Sequence, residues 1–181
     1  MKDHGPWKIT GSKQVYHDRW LTLRRDEVIR PDGKPGSHVV VQIKPGVSVL
    51  PLDDAGFVYL TDEFHYAVGR NTLEVVSGGI DPGEDALATA RRELAEELGI
   101  TAARWTPLGV VDPFTSTVTS PTRLFLAEGL TFGDHSREGT ELIRGVKMPL
   151  PDAVAAVLDG RISHAPSAVA ILKTFLRGIQ V

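Results

Sequence analysis

Residues 78–100 read GGIDPGEDALATARRELAEELGI, and this stretch does most to decide the fold. After Asp81-Pro82-Gly83 its apolar residues recur at helical spacing, so that one face of the predicted helix must pack inward; they are Leu87, Ala90, Leu94 and Leu98. Gly99 is well placed to end this helix, because glycine readily adopts the left-handed conformation that often follows a helix C-terminus. The stretch therefore predicts one charged, amphipathic helix over residues 85–98.

Three glutamates lie at the edge of the apolar face of this helix. With 100° per residue, Glu93 and Glu97 stack one turn apart and Glu96 lies slightly further round. Like charges at this spacing destabilise an isolated helix by roughly a few tenths of a kcal/mol, so a bound cation would explain them. Carboxylate oxygens are the ligands that Mg²⁺ and Mn²⁺ prefer. The alternative for such a charge run is the solvated face of an ordinary helix.

The loop before the helix, residues 77–83, contains three glycines. Glycine allows the backbone to approach a ligand closely, so we expect Gly78 and Gly79 to contact a substrate. Arg92 lies one turn before Glu96 and can pair with it or with Glu84.

The full pattern favours the metal site over the solvated face. In order it contains a glycine, five residues, a glutamate, seven residues, Arg-Glu, an aliphatic residue, one residue, Glu-Glu, one residue, a glycine and an aliphatic residue. The positions are Gly78, Glu84, Arg92, Glu93, Leu94, Glu96, Glu97, Gly99 and Ile100. This pattern resembles the Nudix box, a loop–helix–loop that holds divalent metal ions against a diphosphate.

The resemblance assigns roles to the charged residues of the box. It implies that Glu93 and Glu97 are the main metal ligands, that Glu96 is the next, and that the backbone carbonyl of Ser77 supplies another oxygen. Glu84 and Arg92 would stabilise the loop–helix–loop by charge pairing, with Glu84 as a direct ligand being the alternative. The expected cofactor is Mg²⁺, with Mn²⁺ possible, and such an ion neutralises the diphosphate and lowers the pKa of an attacking water.

A general base is expected outside the box, on the loop before the last strand. In relatives a carboxylate on such a late loop often has this role. Here Glu141 is the first candidate and Glu138 the second. The alternative is that residues 133–141 form an ordinary polar surface loop.

The rest of the chain predicts an α+β fold with a mixed sheet packed between helices. β-Favouring runs over 8–16, 21–30 and 38–44 indicate a hairpin-rich N-terminal segment, residues 1–45, before a catalytic domain over 46–181. Further strands are predicted over 47–52, 57–61, 72–76, 105–111, 122–127 and 143–148. Two more helices are predicted, from near Pro151 to Asp159 and from near Pro166 to about Arg177.

The amino-acid composition limits the kinds of molecule that we expect this protein to bind. The formal net charge of −3 gives no general attraction to nucleic acid or anionic lipid. The chain contains no cysteine, which excludes disulfides, zinc–thiolate sites and a cysteine nucleophile. The N-terminus carries no apolar stretch and no run approaches the roughly 20 apolar residues of a membrane span, so we expect a cytoplasmic protein without a membrane partner.

Within the Nudix superfamily the layout resembles the ADP-ribose pyrophosphatase group, through residues 73–78, 123–127 and 158–165. The resemblance implies a homodimer whose N-terminal β segment helps to form the partner's site. It also implies hydrolysis of ADP-ribose to AMP and ribose 5-phosphate. The alternatives are other sugar nucleotides, nucleoside triphosphates, or a nucleotide-sensing domain without turnover.

Candidate substrate contacts lie outside the box. His65 occupies the place where the group often has an arginine that reaches the substrate phosphate, and Arg70 could substitute for that arginine. Glu74 is expected to orient Arg70 or to bind a ribose hydroxyl. Phe114 is a candidate for stacking on the base, with Trp7 and Trp20 as alternatives, and each is otherwise a core or interface residue.

Overall fold

A computed structural model describes residues 1–134 and 142–178. Its strands are β1 (Lys2–His4), β2 (Trp7–His17), β3 (Leu21–Ile29), β4 (Pro35–Ile43), β5 (Gly46–Leu52), β6 (Phe57–His65), β7 (Arg70–Glu74), β8 (Val76–Gly79), β9 (Ile100–Val111), β10 (Val118–Thr119), β11 (Thr122–Phe132) and β12 (Arg144–Pro149). Its helices are α1 (Ala86–Leu98), α2 (Leu150–Leu158) and α3 (Ala165–Gly178). These elements form two compact units, residues 1–44 with 112–121, and residues 45–111 with the chain from Thr122 onward.

The first unit is a single five-stranded sheet in the order β1-β2-β3-β4-β10. The strands β2, β3 and β4 form an antiparallel meander, and the short β10 joins β4 in parallel. The β2–β3 turn is held by the carboxylate of Asp18, which accepts hydrogen bonds from the amides of Trp20 and Leu21, each at 2.8 Å. The predicted N-terminal hairpin is therefore confirmed, while β1 and β10 were not predicted.

The second unit contains a mixed seven-stranded sheet between two layers of helix. Its strand order is β12-β6-β5-β11-β9, with β7 added to β6 and β8 added to β5. Among the strand pairs that the structure describes in this sheet, β5–β11 alone is parallel. One sheet face packs against α1 through buried residues that include Ala90, Leu94 and Phe125. The opposite face packs against α2 and α3 through residues that include Ala156 and Ile171. The predicted α+β architecture is confirmed.

Local signals fix both ends of α1. Asp85 is its N-cap, and its carboxylate accepts hydrogen bonds from the amides of Leu87 and Ala88. Gly99 is the C-cap with φ of 65°, and its amide donates to the carbonyl of Ala95. Because a side chain with a Cβ is strained at this φ, glycine suits the position. The sequence placed this helix correctly since both caps lie beside it in the chain.

The predicted strand over 72–76 is wrong as a single element. The chain leaves β6 at Glu74, the end of β7, and joins β5 at Val76, the start of β8. Val75 and Val76 are both fully buried, but Val75 packs into the α2–α3 core and Val76 into the α1 core. Because consecutive residues are buried on opposite faces, apolar alternation could not reveal the break. We call residues 74–76 the crossover.

Other differences are confined to element ends. The strand β9 begins at Ile100 rather than at 105, and β11 continues to Phe132 rather than to 127. Across the described ranges, no helix is both long enough and apolar enough to cross a membrane.

Candidate functional site

The three glutamates of α1 differ in how far they are exposed to solvent. Glu97 is buried, with 8% of its surface exposed. The side chain of Glu93 is 15% exposed, and that of Glu96 is 37% exposed. Helical spacing places Glu93 and Glu97 on the same face one turn apart, so the two more buried carboxylates are neighbours along the helix. The predicted order around the helix agrees with this series.

Gly78 lies directly against the side chain of Glu93. A Cβ built on Gly78 would collide with Cδ and Oε1 of Glu93, so one of the two groups would have to move. Gly78 belongs to β8, where it pairs with Val47, and Gly79 pairs with Gly46 at the exposed end of the strand. Glycine at position 78 therefore makes the room that the Glu93 carboxylate occupies.

Ser77, whose carbonyl is a predicted metal ligand, uses its hydroxyl inside the sheet. The hydroxyl donates to the carbonyl of Val75 at 3.0 Å and lies 2.9 Å from the hydroxyl of the buried Ser48. Since the single Ser77 proton is directed to Val75, Ser48 donates to Ser77. The Ser48–Ser77 bond thus joins β5 to β8 directly beside Gly78.

Arg92 connects the box loop with two of the α1 glutamates. Its Nε and Nη2 atoms donate to the two carboxylate oxygens of Glu84, at 3.2 and 3.3 Å. Its Nη1 lies 2.9 Å from Oε1 of Glu93 and 2.9 Å from Oε2 of Glu96. Both of the expected pairings, with Glu84 and with Glu96, are present together. The single guanidinium therefore offsets repulsion among three carboxylates.

The donor set fits a hard divalent ion in its chemistry. Glu93, Glu96 and Glu97 offer carboxylate oxygens, the ligands that Mg²⁺ and Mn²⁺ prefer, and Gly78 leaves space beside one of them. Over residues 1–134 and 142–178, no three His, Cys, Asp or Glu side chains are already gathered into a metal-binding group. An ion at this helix would share Glu93 and Glu96 with Arg92.

A second polar cluster surrounds Glu74 at the end of β7. Its Oε1 accepts a hydrogen bond from the Thr72 hydroxyl at 2.6 Å and lies 3.3 Å from Nε2 of His65. Its Oε2 lies 2.9 Å from Nδ1 of His164. The structure thus brings the predicted His65 and Glu74 together, and it adds His164. Sequence reasoning used the segment 158–165 only for the group resemblance and assigned His164 no role, because it lies 90 residues further along the chain than Glu74.

Arg70 lies beside this cluster and is held by other groups. Its guanidinium donates to the Ser163 hydroxyl at 3.0 Å and to the carbonyl of Asn71 at 3.3 Å. The expected orientation of Arg70 by Glu74 is therefore replaced by these two contacts. The Glu74 carboxylate is engaged with the histidines and Thr72 instead.

The aromatic candidates for base stacking all belong to the first unit. Phe114 is 56% exposed. Trp7 stacks on His38 with ring centroids 6.0 Å apart. Trp20 is exposed and lies under the cationic groups of Arg19 and Lys44.

Both candidate general bases, Glu138 and Glu141, lie outside the described residues. Their role stays a prediction.

The Glu84–Arg92 pair gives the stability of the protein a defined pH dependence. Hydrogen bonding from Arg92 lowers the pKa of Glu84 from 4.5 to about 2. A lowered folded-state pKa contributes stability that is complete above about pH 4.5 and is lost as the pH falls toward 2. We expect urea unfolding to show Glu84→Gln less stable than wild type at pH 7, with the difference shrinking between pH 4.5 and 2. Asp54→Asn, at an exposed side chain, is the control. A difference that stays constant down to pH 2 would contradict this assignment.

Gly78→Ala tests whether the glycine exists to seat Glu93. The added methyl group would collide with the flexible end of one side chain, so the carboxylate moves while the backbone stays in place. We expect the melting temperature to change little and the affinity for Mn²⁺ to fall by at least about tenfold, as for loss of a residue supporting a metal ligand. Isothermal titration with Mn²⁺ and a thermal melt make the two measurements. Gly178→Ala, which has open space around it, serves as the control, and equal Mn²⁺ affinity in both variants would refute the prediction.

Comparison with known proteins agrees with this geometry. The NUDIX domain family matches residues 42–165, and the nucleoside diphosphate sugar hydrolase N-terminal domain matches residues 7–41. An ADP-ribose pyrophosphatase of Bacillus subtilis is 29% identical over 172 residues, which cover 91% of this chain and 90% of that protein. An ADP-ribose pyrophosphatase of Mycobacterium tuberculosis is 28% identical and covers 95% of this chain and 84% of its own length. The crystal structure of an ADP compounds hydrolase shares the fold, with a TM-score of 0.81, 23% identity, and coverage of 99% of this chain and 98% of that one. The chain belongs to the Nudix family.

Proposed function

We propose that this protein hydrolyses the diphosphate bond of a nucleoside diphosphate derivative, with ADP-ribose as the leading substrate and AMP and ribose 5-phosphate as products. The arrangement of Glu93, Glu96 and Glu97 around Arg92 and against Gly78 carries the proposal. These residues lie within 42–165, the part of the chain that matches the NUDIX domain family, and this match supports the proposal. Relatives that are named ADP-ribose pyrophosphatases align with almost the whole chain, which favours this substrate class.

The carboxylates of α1 would hold the metal ion, for which we propose Mg²⁺ with Mn²⁺ as the alternative. When bound, such an ion supplies positive charge to the diphosphate and acidifies a water molecule. The chain's own contribution is positioning, since phosphoryl transfer depends largely on placement and charge stabilisation. Glu93 and Glu97 are the proposed main ligands, with Glu96 and the Ser77 carbonyl in support. Arg92 fixes the carboxylates of Glu93 and Glu96.

Other side chains are proposed to contact the substrate or the attacking water. His65 on β6 is partly exposed and Arg70 on β7 is exposed, and both are donors that suit a phosphate group. Phe114 is exposed and offers a face for a base. Glu141 is the proposed general base.

A match to a nucleoside diphosphate sugar hydrolase N-terminal domain favours sugar nucleotides over nucleoside triphosphates. The cytoplasmic location expected from the sequence, without nucleic acid or membrane partners, stays a prediction.

Product analysis under Mg²⁺ tests the function. ADP-ribose, other sugar nucleotides, dinucleotides and nucleoside triphosphates are offered in turn, and AMP, sugar phosphate and pyrophosphate are separated by chromatography. We expect AMP from ADP-ribose, no turnover after chelation, and a rate for Glu97→Gln at least about a hundredfold lower, because even residues that only support metal ligands cost up to that amount. Asp54→Asn keeps the wild-type rate. If wild type and Glu97→Gln share the same negligible rate on every diphosphate, the enzyme proposal fails, whereas pyrophosphate release would identify a triphosphatase.

We propose further that the protein is a homodimer formed through the first unit. That unit exposes five large apolar side chains on or beside β2 and β4, namely Val15, Tyr16, Trp20, Val39 and Ile43. Several exposed large apolar side chains on one sheet are candidates for burial at an interface. Sedimentation should show a dimer for wild type and a monomer for the double variant Val15→Glu, Val39→Glu. Leu158→Glu, at an exposed apolar side chain of α2, should stay dimeric. A monomeric wild type would exclude the dimer.

A further inference from the structure

The crossover at residues 74–76 requires a hydrogen-bond acceptor from outside the sheet. Its middle residue, Val75, lies between the β6 ladder and the β5 ladder and is fully buried. The Val75 amide donates to the hydroxyl of Ser167 on α3, at 3.0 Å, and Ser167 is also fully buried. A buried amide without an acceptor is costly. Among the described residues, neither neighbouring strand provides an acceptor for the Val75 amide, and Ser167 of α3 provides it instead.

The same part of α3 holds the residue next to Val75. His164, directly before α3, has Nδ1 2.8 Å from the Ser167 hydroxyl and 2.9 Å from Oε2 of Glu74. An ionised carboxylate only accepts hydrogen bonds, so the contact with Glu74 requires a proton on Nδ1. The single Nδ1 proton therefore faces both the Glu74 carboxylate and the Ser167 oxygen, so His164 links Glu74 to the acceptor of the Val75 amide.

Glu74 is kept ionised by its surroundings. Burial alone would raise its pKa, but hydrogen bonds from His164 and Thr72, together with the charge of nearby His164 and His65, hold the pKa below its usual value. The carboxylate also lies beside the N-terminus of α3, whose first turn contains no acidic residue. Negative charge at the N-terminus of a helix is favourable. The first turn of α3 has no acidic side chain, and Glu74 of β7 provides the negative charge there.

The strand β8 connects the crossover with Glu93, one of the proposed metal ligands. From Val76 the strand β8 runs through Ser77, which bonds to Ser48, to Gly78, which lies against Glu93. Because the Glu93 side chain occupies the space where a Cβ on Gly78 would lie, a displacement of β8 shifts one wall of that space. A close-packed interior transmits such a shift.

We propose that His164 is a positioning residue for Glu93, acting through Glu74, Ser167 and the crossover. This inference rests on the proposed function only in taking Glu93 as a metal ligand. His164 contacts Glu74 and Ser167, and these contacts hold Glu74 and Val75 against α3. The position of the crossover sets the position of β8, and Gly78 of β8 lies against Glu93 on α1.

The full-length protein tests this with two substitutions at one position. His164→Ala removes the Nδ1 donor, whereas His164→Asn places an amide nitrogen where Nδ1 lies. We expect His164→Ala to lower kcat by about tenfold, as for loss of a hydrogen bond to a charged group, with KM for ADP-ribose within about twofold of wild type. The same variant should bind Mn²⁺ more weakly and should exchange the Val75 amide hydrogen faster. His164→Asn should restore most of all three quantities.

Arg161→Ala is the matched control, because Arg161 lies in the same α2–α3 connection and pairs with Asp159 at the surface. Thermal melts establish that each variant is folded under the assay conditions. Wild-type Val75 exchange and Mn²⁺ affinity in folded His164→Ala would overturn the proposal, as would a folded His164→Asn as impaired as His164→Ala. A wild type without activity on any diphosphate would defeat the proposed function alone, since the exchange and Mn²⁺ measurements would still decide the role of His164.

Discussion

The site depends on how the structure offsets the repulsion among the carboxylates of α1. Glu93, Glu96 and Glu97 lie within five residues of each other, and Glu84 reaches the same guanidinium from the preceding loop. Positive charge placed among the carboxylates offsets their mutual repulsion. Arg92 supplies one positive charge by contacting Glu84, Glu93 and Glu96 together, and the proposed metal ion would supply more. The arginine is thus part of the scaffold and also lies next to the proposed ligands.

The sheet supports these carboxylates from the opposite side through small residues. Gly78 leaves room for Glu93, and the Ser48–Ser77 pair fixes the strand that carries Gly78. The chain reaches that strand by the crossover, where it changes its neighbouring strand while residues on both faces of the sheet are buried. Three separate requirements therefore meet over a few residues: one strand pairing ends and another begins, two cores are filled, and the Glu93 carboxylate is given its place.

The box could be predicted because its geometry is local. The helix period alone places Glu93, Glu96 and Glu97, and both caps of α1 lie beside the helix in the sequence. The cluster around Glu74 could not be predicted in the same way, since Val75 and Ser167 meet across 92 residues. Only the tertiary approach of α3 to the end of β7 brings His164 to Glu74. The break at Val75 was also hidden, because burial on both faces removes the alternation that marks a strand.

The two caps of α1 have a consequence for the energetics of ligand binding. Asp85 satisfies amides at one end of the helix, and Gly99 satisfies carbonyls at the other. The helix is thus complete without help from any ion, and its acidic side chains are presented from a backbone that is already ordered. Binding of an ion then removes little backbone entropy. The free energy of each ion contact is consequently available for affinity rather than for folding the element that carries the ligands.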